Sequence, residues 1–341
     1  FGYNSLKWDK RIEPVRYQEA KKSYVETLEL VSANAINKFF ALATAQSNYD
    51  IASFNYANAD TLYRYAQGRY NIGTITENEM LQLELNRLTE ETNRMNARIE
   101  MDNCMQELRS YLGIQEEREI RVRVSSRIPD FSINLNEALA LAYENSPDIQ
   151  TMKRRKLESE SAVARARANA GLKADIYLRF GLTQTADKLP EAYRNLLDQQ
   201  YVSLSISLPI LDWGRGKGQV RVARSNRDLV YTQVEQSRTD FELNVRKLVK
   251  QFNLQTQRVR IAARTDETAQ RRNEVARKLY ILGKSTILDL NASISEKDSA
   301  RRNYVSALYN YWSLYYTLRS MTLYDFESNK LLTEDYNLLI E

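Results

Sequence analysis

The sequence predicts a mainly α-helical chain made of two repeats of long antiparallel helical hairpins, with one pair of β-strands. Three observations lead there. Glycine occurs 10 times and proline 5 times in 341 residues, so turn signals are few and elements should be long. Apolar residues recur at helical steps of three and four over most of the chain. Two segments in opposite halves also echo each other, the mark of an internal repeat.

The echoing segments are Arg69-Tyr70-Asn71-Ile72-Gly73-Thr74-Ile75-Thr76 and Leu279-Tyr280-Ile281-Leu282-Gly283-Lys284-Ser285-Thr286. The tyrosine, the glycine and the final threonine coincide. A long helical pattern precedes each segment and a shorter one follows. Gly73 and Gly283 stand where each long helix must stop and reverse, and glycine supplies the left-handed backbone that ends a helix. Thr76 and Thr286 are placed to cap the returning helices, which run to about Tyr111 and Leu323. Upstream, Trp8 and Pro14-Val15-Arg16 resemble Trp213 and Gln219-Val220-Arg221. The offset between these anchors differs from that at the glycines, so an insertion is expected within one copy.

The helical seams are dense. In the first copy Tyr24, Leu28, Val31, Ala35, Phe39, Leu42, Tyr49, Ala52 and Tyr56 follow coiled-coil spacing. In the second, Val230, Val234, Phe241, Val245, Leu248, Phe252 and Val259 do the same. A helix from Arg215 to about Leu282 would extend roughly 100 Å at 1.5 Å per residue, far beyond what a globular core needs.

Between the hairpins, Leu135 to Tyr143 reads as a short helix, and Asn145-Ser146-Pro147 starts the next one, which continues to about Gly171. The period then changes to two. Ile176, Leu178, Phe180 and Leu182 alternate with Tyr177, Arg179, Gly181 and Thr183. After a polar loop, Val202, Leu204, Ile206 and Leu208 alternate with Ser203, Ser205 and Ser207. A strand pair over about 174–210 with apolar and polar faces suits a membrane barrel around water. The same period fits a half-buried sheet in a soluble domain. The run of serines on one face, between two very long helices, favours the barrel.

Composition excludes several classes. Histidine is absent and Cys104 is the single cysteine, so His-based triads, His-ligated metals, cysteine zinc clusters and internal disulfides are ruled out. Cys104 itself reads as a small helical residue. No cofactor is implied, and no nucleophile–base or metal constellation supports an enzyme. The net charge of +5 is spread along mixed-sign helices. Its densest stretch, Arg154, Arg155, Lys156, Arg165 and Arg167, lacks stacking aromatics or a groove-reading motif. It reads as a solvated face rather than a nucleic-acid site. No apolar run reaches the roughly 18 residues of a membrane-spanning helix. The chain opens Phe1-Gly2-Tyr3-Asn4 without methionine or signal peptide, which suggests a processed or truncated chain.

Short helix, Asn-Ser-Pro, helix, strand, loop, strand, Pro-X-X-Asp-X-Gly, giant helix, glycine turn and shorter helix follow in order. The carrying residues are Leu135-Asn136-Glu137-Ala138-Leu139, Asn145-Ser146-Pro147, Pro209-Ile210-Leu211-Asp212-Trp213-Gly214-Arg215 and Tyr280-Ile281-Leu282-Gly283, with Arg69-Tyr70-Asn71-Ile72-Gly73 in the first copy. Together they resemble the TolC family of outer-membrane efflux proteins. The resemblance implies TolC-like hairpins in two repeats forming an α-helical barrel, with strands contributed to a trimeric outer-membrane β-barrel. Residues 1–130 would be the first repeat, beginning only at the end of its strand pair. Residues 131–341 would be the second, with strands at about 174–210, a long hairpin over 215–323 and a C-terminal equatorial segment.

By the same resemblance the protein is a homotrimeric exit duct in the outer membrane of a Gram-negative bacterium, its helices in the periplasm. It would serve a tripartite efflux or type I secretion system, with a periplasmic adaptor and an inner-membrane transporter of RND or ABC type. Outer-membrane lipid would face Ile176, Leu178, Phe180, Leu182, Val202, Leu204, Ile206 and Leu208. Gating would fall at the helix tips on Glu79, Tyr280, Lys284, Ser285 and Asp289. A Glu79–Tyr280 hydrogen bond is chemically reasonable. Asp289 matches a ring of carboxylates at the entrance that would attract cations. As plain residues, Glu79 and Asp289 also fit solvated helix positions. Gly73, Thr74, Gly283 and Lys284 would meet the adaptor. The tyrosines and tryptophan at 304, 309, 311, 312, 315 and 316 read as helix packing. An adaptor would instead show one hairpin inserted in small β-domains, and a coiled-coil scaffold would show no alternating strands.

Overall fold

The computed structural model describes residues 2–116, 119–125, 128–185, 196–207, 211–282 and 284–332. Helix α1 spans Ser5–Asn71, α2 Glu77–Tyr111, α3 Leu135–Asn145, α4 Pro147–Asn169, α5 Arg215–Ile281 and α6 Ile287–Thr322. Strands β1 (Lys173–Thr183) and β2 (Leu197–Ser207) form one antiparallel sheet, and β3 (Tyr324–Asp325) and β4 (Lys330–Leu331) a small second one. Pro147 opens α4, where its missing N–H is no loss.

Helices α1 and α5 each have 67 residues, and α2 and α6 have 35 and 36. The starts and ends of α1 and α5 differ by a constant 210 residues, Ser5 to Arg215 and Asn71 to Ile281. The same offset carries Gly73 to Gly283. The expected insertion therefore has no place within the long helices, and Trp213 corresponds to Tyr3 rather than to Trp8. Trp8 lies inside α1, whereas Trp213 precedes α5 with a left-handed φ of 50°.

Two compact units are formed, Phe1–Lys22 with Pro147–Glu242, and Ser23–Ser146 with Leu243–Glu341. Both sequence repeats contribute to each unit, so the repeat is a unit of sequence and not of packing.

In the first unit, α4 lies between the start of α1 and the start of α5. Arg154 of α4 donates to Glu19 of α1 at 2.6 and 3.0 Å and to Glu158 at 3.1 Å. Tyr3 and Ser161 share a hydrogen bond of 2.7 Å, and Tyr231 of α5 donates to Glu160 at 2.5 Å. Asp212 ties down the first turn of α5 by accepting from Gly214 N at 2.9 Å and Gly216 N at 2.8 Å.

In the second unit the α1 seam differs from the expected one. Its buried line is Leu42 with alanines 45, 52, 59 and 66, a seven-residue spacing, while Tyr24 and Val31 are 39% and 50% exposed. Leu42, Ala45, Met101 and Leu108 form a core cluster between α1 and α2. The α5 seam follows the expectation through Phe241, Val245, Phe252 and Val259, then turns polar at Asp266 and Asn273, all buried. Gln270 and Arg301 donate to Asp266 at 3.0 and 3.1 Å, and Asn273 to Ser293 at 3.0 Å.

The α6 aromatics pack as expected at Tyr311 and Tyr315, which are buried against Phe131 and Phe252 with ring centroids 5.2–5.9 Å apart. Burial raises both phenol pKa values. The connecting segment is held by side-chain amides. Gln46 donates to Ile120 O (3.1 Å) and accepts from Val122 N (3.2 Å), and Asn253 makes the same pair of bonds to Ile133 at 2.9 Å each.

Candidate functional site

Two regions carry the expected functional residues: the helix tips and the β1–β2 sheet. At the first tip, Gly73 adopts φ 73°, and its N–H returns to Tyr70 O at 2.9 Å. Thr74 N and Thr74 Oγ1 both donate to Arg69 O at 2.9 Å, so two carbonyls of the last turn of α1, those of Arg69 and Tyr70, are satisfied. Thr76 then caps α2 in a reciprocal box. Glu79 N donates to Thr76 Oγ1 at 3.3 Å, and Thr76 N donates to Glu79 Oε2 at 3.0 Å.

The second tip repeats this chemistry. Lys284 N returns to Leu279 O at 2.9 Å. Asp289 N donates to Thr286 Oγ1 at 3.2 Å, while Thr286 N and Oγ1 donate to Asp289 Oδ2 at 3.3 and 2.7 Å. Ser285 adds a bond of 3.3 Å to the same oxygen. These bonds, that from the Thr286 hydroxyl first, hold the Asp289 carboxyl below the usual carboxylate range. Glu79 and Asp289 are thus repeat equivalents with one local task. Gly283 lies outside the described residues.

Glu79 and Tyr280 are near enough for their charges to interact, but no hydrogen bond joins them among the described residues. Burial raises the Tyr280 phenol first and Glu79 adds to it, while Arg69 acts in the opposite sense. Arg69 and Tyr65 of α1 are the neighbours that sequence reasoning passed over. Arg69 opens the first echoing motif and could have been found by pairing its two copies. Beside Tyr280 lies a cavity of about 190 Å³ between α1 and the α5–α6 hairpin, lined by Leu62, Tyr65, Arg277, Tyr280, Leu290 and Ile294. Lys284 and Ser285 do not line it.

In the sheet, Ile176 pairs with Leu204 and Leu178 with Val202, while Asp175 pairs with Ser205 and Tyr177 with Ser203. Antiparallel pairing therefore gathers apolar residues on one face and polar residues on the other. Ile176, Leu178, Phe180 and Leu182 are 55–70% exposed, and Val202, Leu204 and Ile206 are 63–68% exposed. Leu208 lies outside the described residues. Each strand has 11 residues, the length a tilted strand needs to cross a bilayer core. Among the described residues this sheet has only two strands, so both edges are open.

The family model for outer membrane efflux proteins matches residues 138–322. The chain belongs to the outer membrane efflux protein family. It is 21% identical over 311 residues to outer membrane protein TolC of Escherichia coli K12, covering 88% of this chain and 61% of TolC. The chain thus spans about three fifths of that relative's length. The Campylobacter jejuni CmeC outer membrane channel has the same fold, with a TM-score of 0.76 at 16% identity, over 98% of this chain and 70% of CmeC. VceC of Vibrio cholerae aligns with a TM-score of 0.69 at 16% identity, over 92% of this chain and 76% of VceC. Membership of this family places the chain in the outer membrane.

Proposed function

We propose that this chain is the protomer of a homotrimeric exit duct that serves a tripartite efflux or type I secretion system. One observation carries the reading: a sheet with two open edges and an exposed apolar face. Unpaired backbone groups cannot be left in hydrocarbon, so the strands must close a barrel with strands of other copies. A second feature agrees with assembly. On α2, Leu81, Leu85, Leu88, Met95 and Ile99 are 44–66% exposed at coiled-coil spacing. That stripe asks for a helix of a neighbouring copy.

The tunnel would be gated at its tips by Glu79, Tyr280, Lys284, Ser285 and Asp289. Opening would pull the two hairpins apart beside Tyr280. Gly73, Thr74, Gly283 and Lys284 would receive a periplasmic adaptor, which connects the duct to an inner-membrane transporter of RND or ABC type. The sequence repeats 1–130 and 131–341 are the proposed building blocks of this assembly.

Native mass spectrometry of the protein extracted from outer membranes tests the reading, with planar-bilayer recording beside it. Trimers that conduct, and that lose assembly on Leu85→Glu with Ile99→Glu, are expected. Monomers without conductance would overturn it.

A further inference from the structure

The junction between the sheet and the long helices carries a set of side chains that neither the fold nor the tip chemistry uses. Trp213 is 95% exposed and Leu211 is 79% exposed, the highest values among the large apolar residues described. Both lie within six residues of Ser207, the end of β2, which limits them to about 20 Å of chain from the sheet. Immediately beyond stand Arg215, Lys217, Arg221 and Arg224, all exposed. None of the four has an ion-pair partner among the described residues. Lys217, Arg221 and Arg224 follow steps of four and three, so they share one face of α5.

The first repeat carries an aromatic and two cations at the equivalent positions. The offset that relates the long helices places Tyr3, Lys7 and Arg11 opposite Trp213, Lys217 and Arg221. Lys7 is exposed with no ion-pair partner among the described residues, while Arg11 lies 4.6 Å over the Trp8 ring and 3.7 Å from Glu160. Lys7, Arg215 and Lys217 do nothing for the first turns they stand in, because positive charge there opposes the helix dipole. The four other helices follow the favourable rule with Glu77, Glu79, Glu137, Asp148 and Asp289.

We propose that Trp213, Arg215, Lys217 and Arg221, together with Lys7, form a collar that binds anionic phospholipid headgroups at the periplasmic edge of the membrane. An exposed indole prefers the headgroup level, where its apolar ring and its N–H are both accommodated. Guanidinium and ammonium groups one or two turns below it meet phosphodiester oxygens. The occupant is the membrane surface, since a free phosphate would leave Trp213 and Leu211 in water. The inference rests on the reading that β1 and β2 span the bilayer.

The test uses the full chain in nanodiscs of phosphatidylcholine with or without phosphatidylglycerol. Trp8→Phe with Trp312→Phe leaves Trp213 as the single indole. A second protein also carries Trp213→Phe and Leu204→Trp, which reports on the strand itself. Bromines near the glycerol end of the lipid should quench Trp213 most strongly. Mid-chain bromines should quench the indole at 204. Native mass spectrometry should show phosphatidylglycerol retained over phosphatidylcholine. Retention should fall about fivefold for each of Lys217→Gln and Arg221→Gln, fall further in high salt, and resist millimolar inorganic phosphate. Quenching at 204 without quenching at 213 overturns the collar alone. Failure at both positions overturns the membrane-spanning reading. Equal retention of the two lipids, or displacement by inorganic phosphate, also overturns the collar.

Discussion

Replacing Gly216 by alanine probes how closely the start of α5 sits on the end of α4. A Cβ there would lie 2.7 Å from Asp212 Oδ2, 3.0 Å from Ala170 Cβ and 3.3 Å from Ala170 Cα. The carboxylate cannot retreat freely, because its two oxygens hold Gly216 N and Gly214 N at 2.8 and 2.9 Å. Those bonds, Gly216 first, also keep its carboxyl below the ordinary range. Ala170 cannot retreat either, since its backbone is part of the obstacle. Overpacking of this kind costs about 1–3 kcal/mol, and loss of the cap adds about 1 kcal/mol. Better helix propensity returns up to about 1 kcal/mol. The expected result is a net loss of about 1–3 kcal/mol. Gly218→Ala is the control, since nothing lies within 4 Å of its added Cβ. It should gain about 0.5–1 kcal/mol from propensity alone. Melting followed by far-ultraviolet circular dichroism under identical detergent conditions should move the two variants in opposite directions. Gly216→Ala melting at or above the parent would refute the close approach of α5 to α4.

Three further outcomes follow from the packing. Leu42→Ala empties a fully buried position beside Ala45, Met101 and Leu108 and should cost about 2–5 kcal/mol, read from denaturant midpoints. Thr286→Ala should cost about 1 kcal/mol and speed amide exchange at residues 287–290, because the Asp289 box loses its hydroxyl. Glu19 is held below its ordinary range by Arg154, so its pairing stabilises the fold above the usual carboxylate pKa and is lost as pH falls through the lowered value. Glu19→Gln should therefore cost about 1–2 kcal/mol near neutral pH, with the gap to the parent closing as pH falls below the usual carboxylate pKa.

What the sequence made legible depended on side-chain bulk. The α5 seam was readable because Phe241, Val245, Phe252 and Val259 are large and apolar, and all four are buried. The α1 seam is harder to read because beyond Leu42 its buried positions are alanines 43, 45, 52, 59 and 66, which carry little hydrophobic signal. Nearby tyrosines offer larger apolar bodies whose hydroxyls stay near the surface. Tyr24 was counted inside and is 39% exposed. The strands were plain from their period of two. At the tips, the spacing from Thr76 to Glu79 and from Thr286 to Asp289 was visible, but the carboxylates were assigned to gating and not to capping. The company of Tyr280 was legible only in part: Arg69 opens the first echoing motif, but nothing in the sequence points to Tyr65, which reaches Tyr280 from the other hairpin. The tryptophan correspondence failed for a simpler reason: two equal side chains outweighed the helix lengths, which only the structure supplies.

The change of character along the α5 seam sets a gradient of local stability. At seven-residue steps the buried positions are Val245, Phe252, Val259, Asp266 and Asn273. The first three exclude water, each contributing on the order of 1.5–3 kcal/mol. The last two exchange water for protein partners at a net gain of about 1 kcal/mol or less, and Asp266 Oδ1 finds no partner among the described residues. Partial unfolding therefore starts at the turn and runs out of free energy as it approaches Val259. Amide protection should climb from residue 280 back toward residue 245, giving the hairpin a loose end and a fixed end within one unbroken helix.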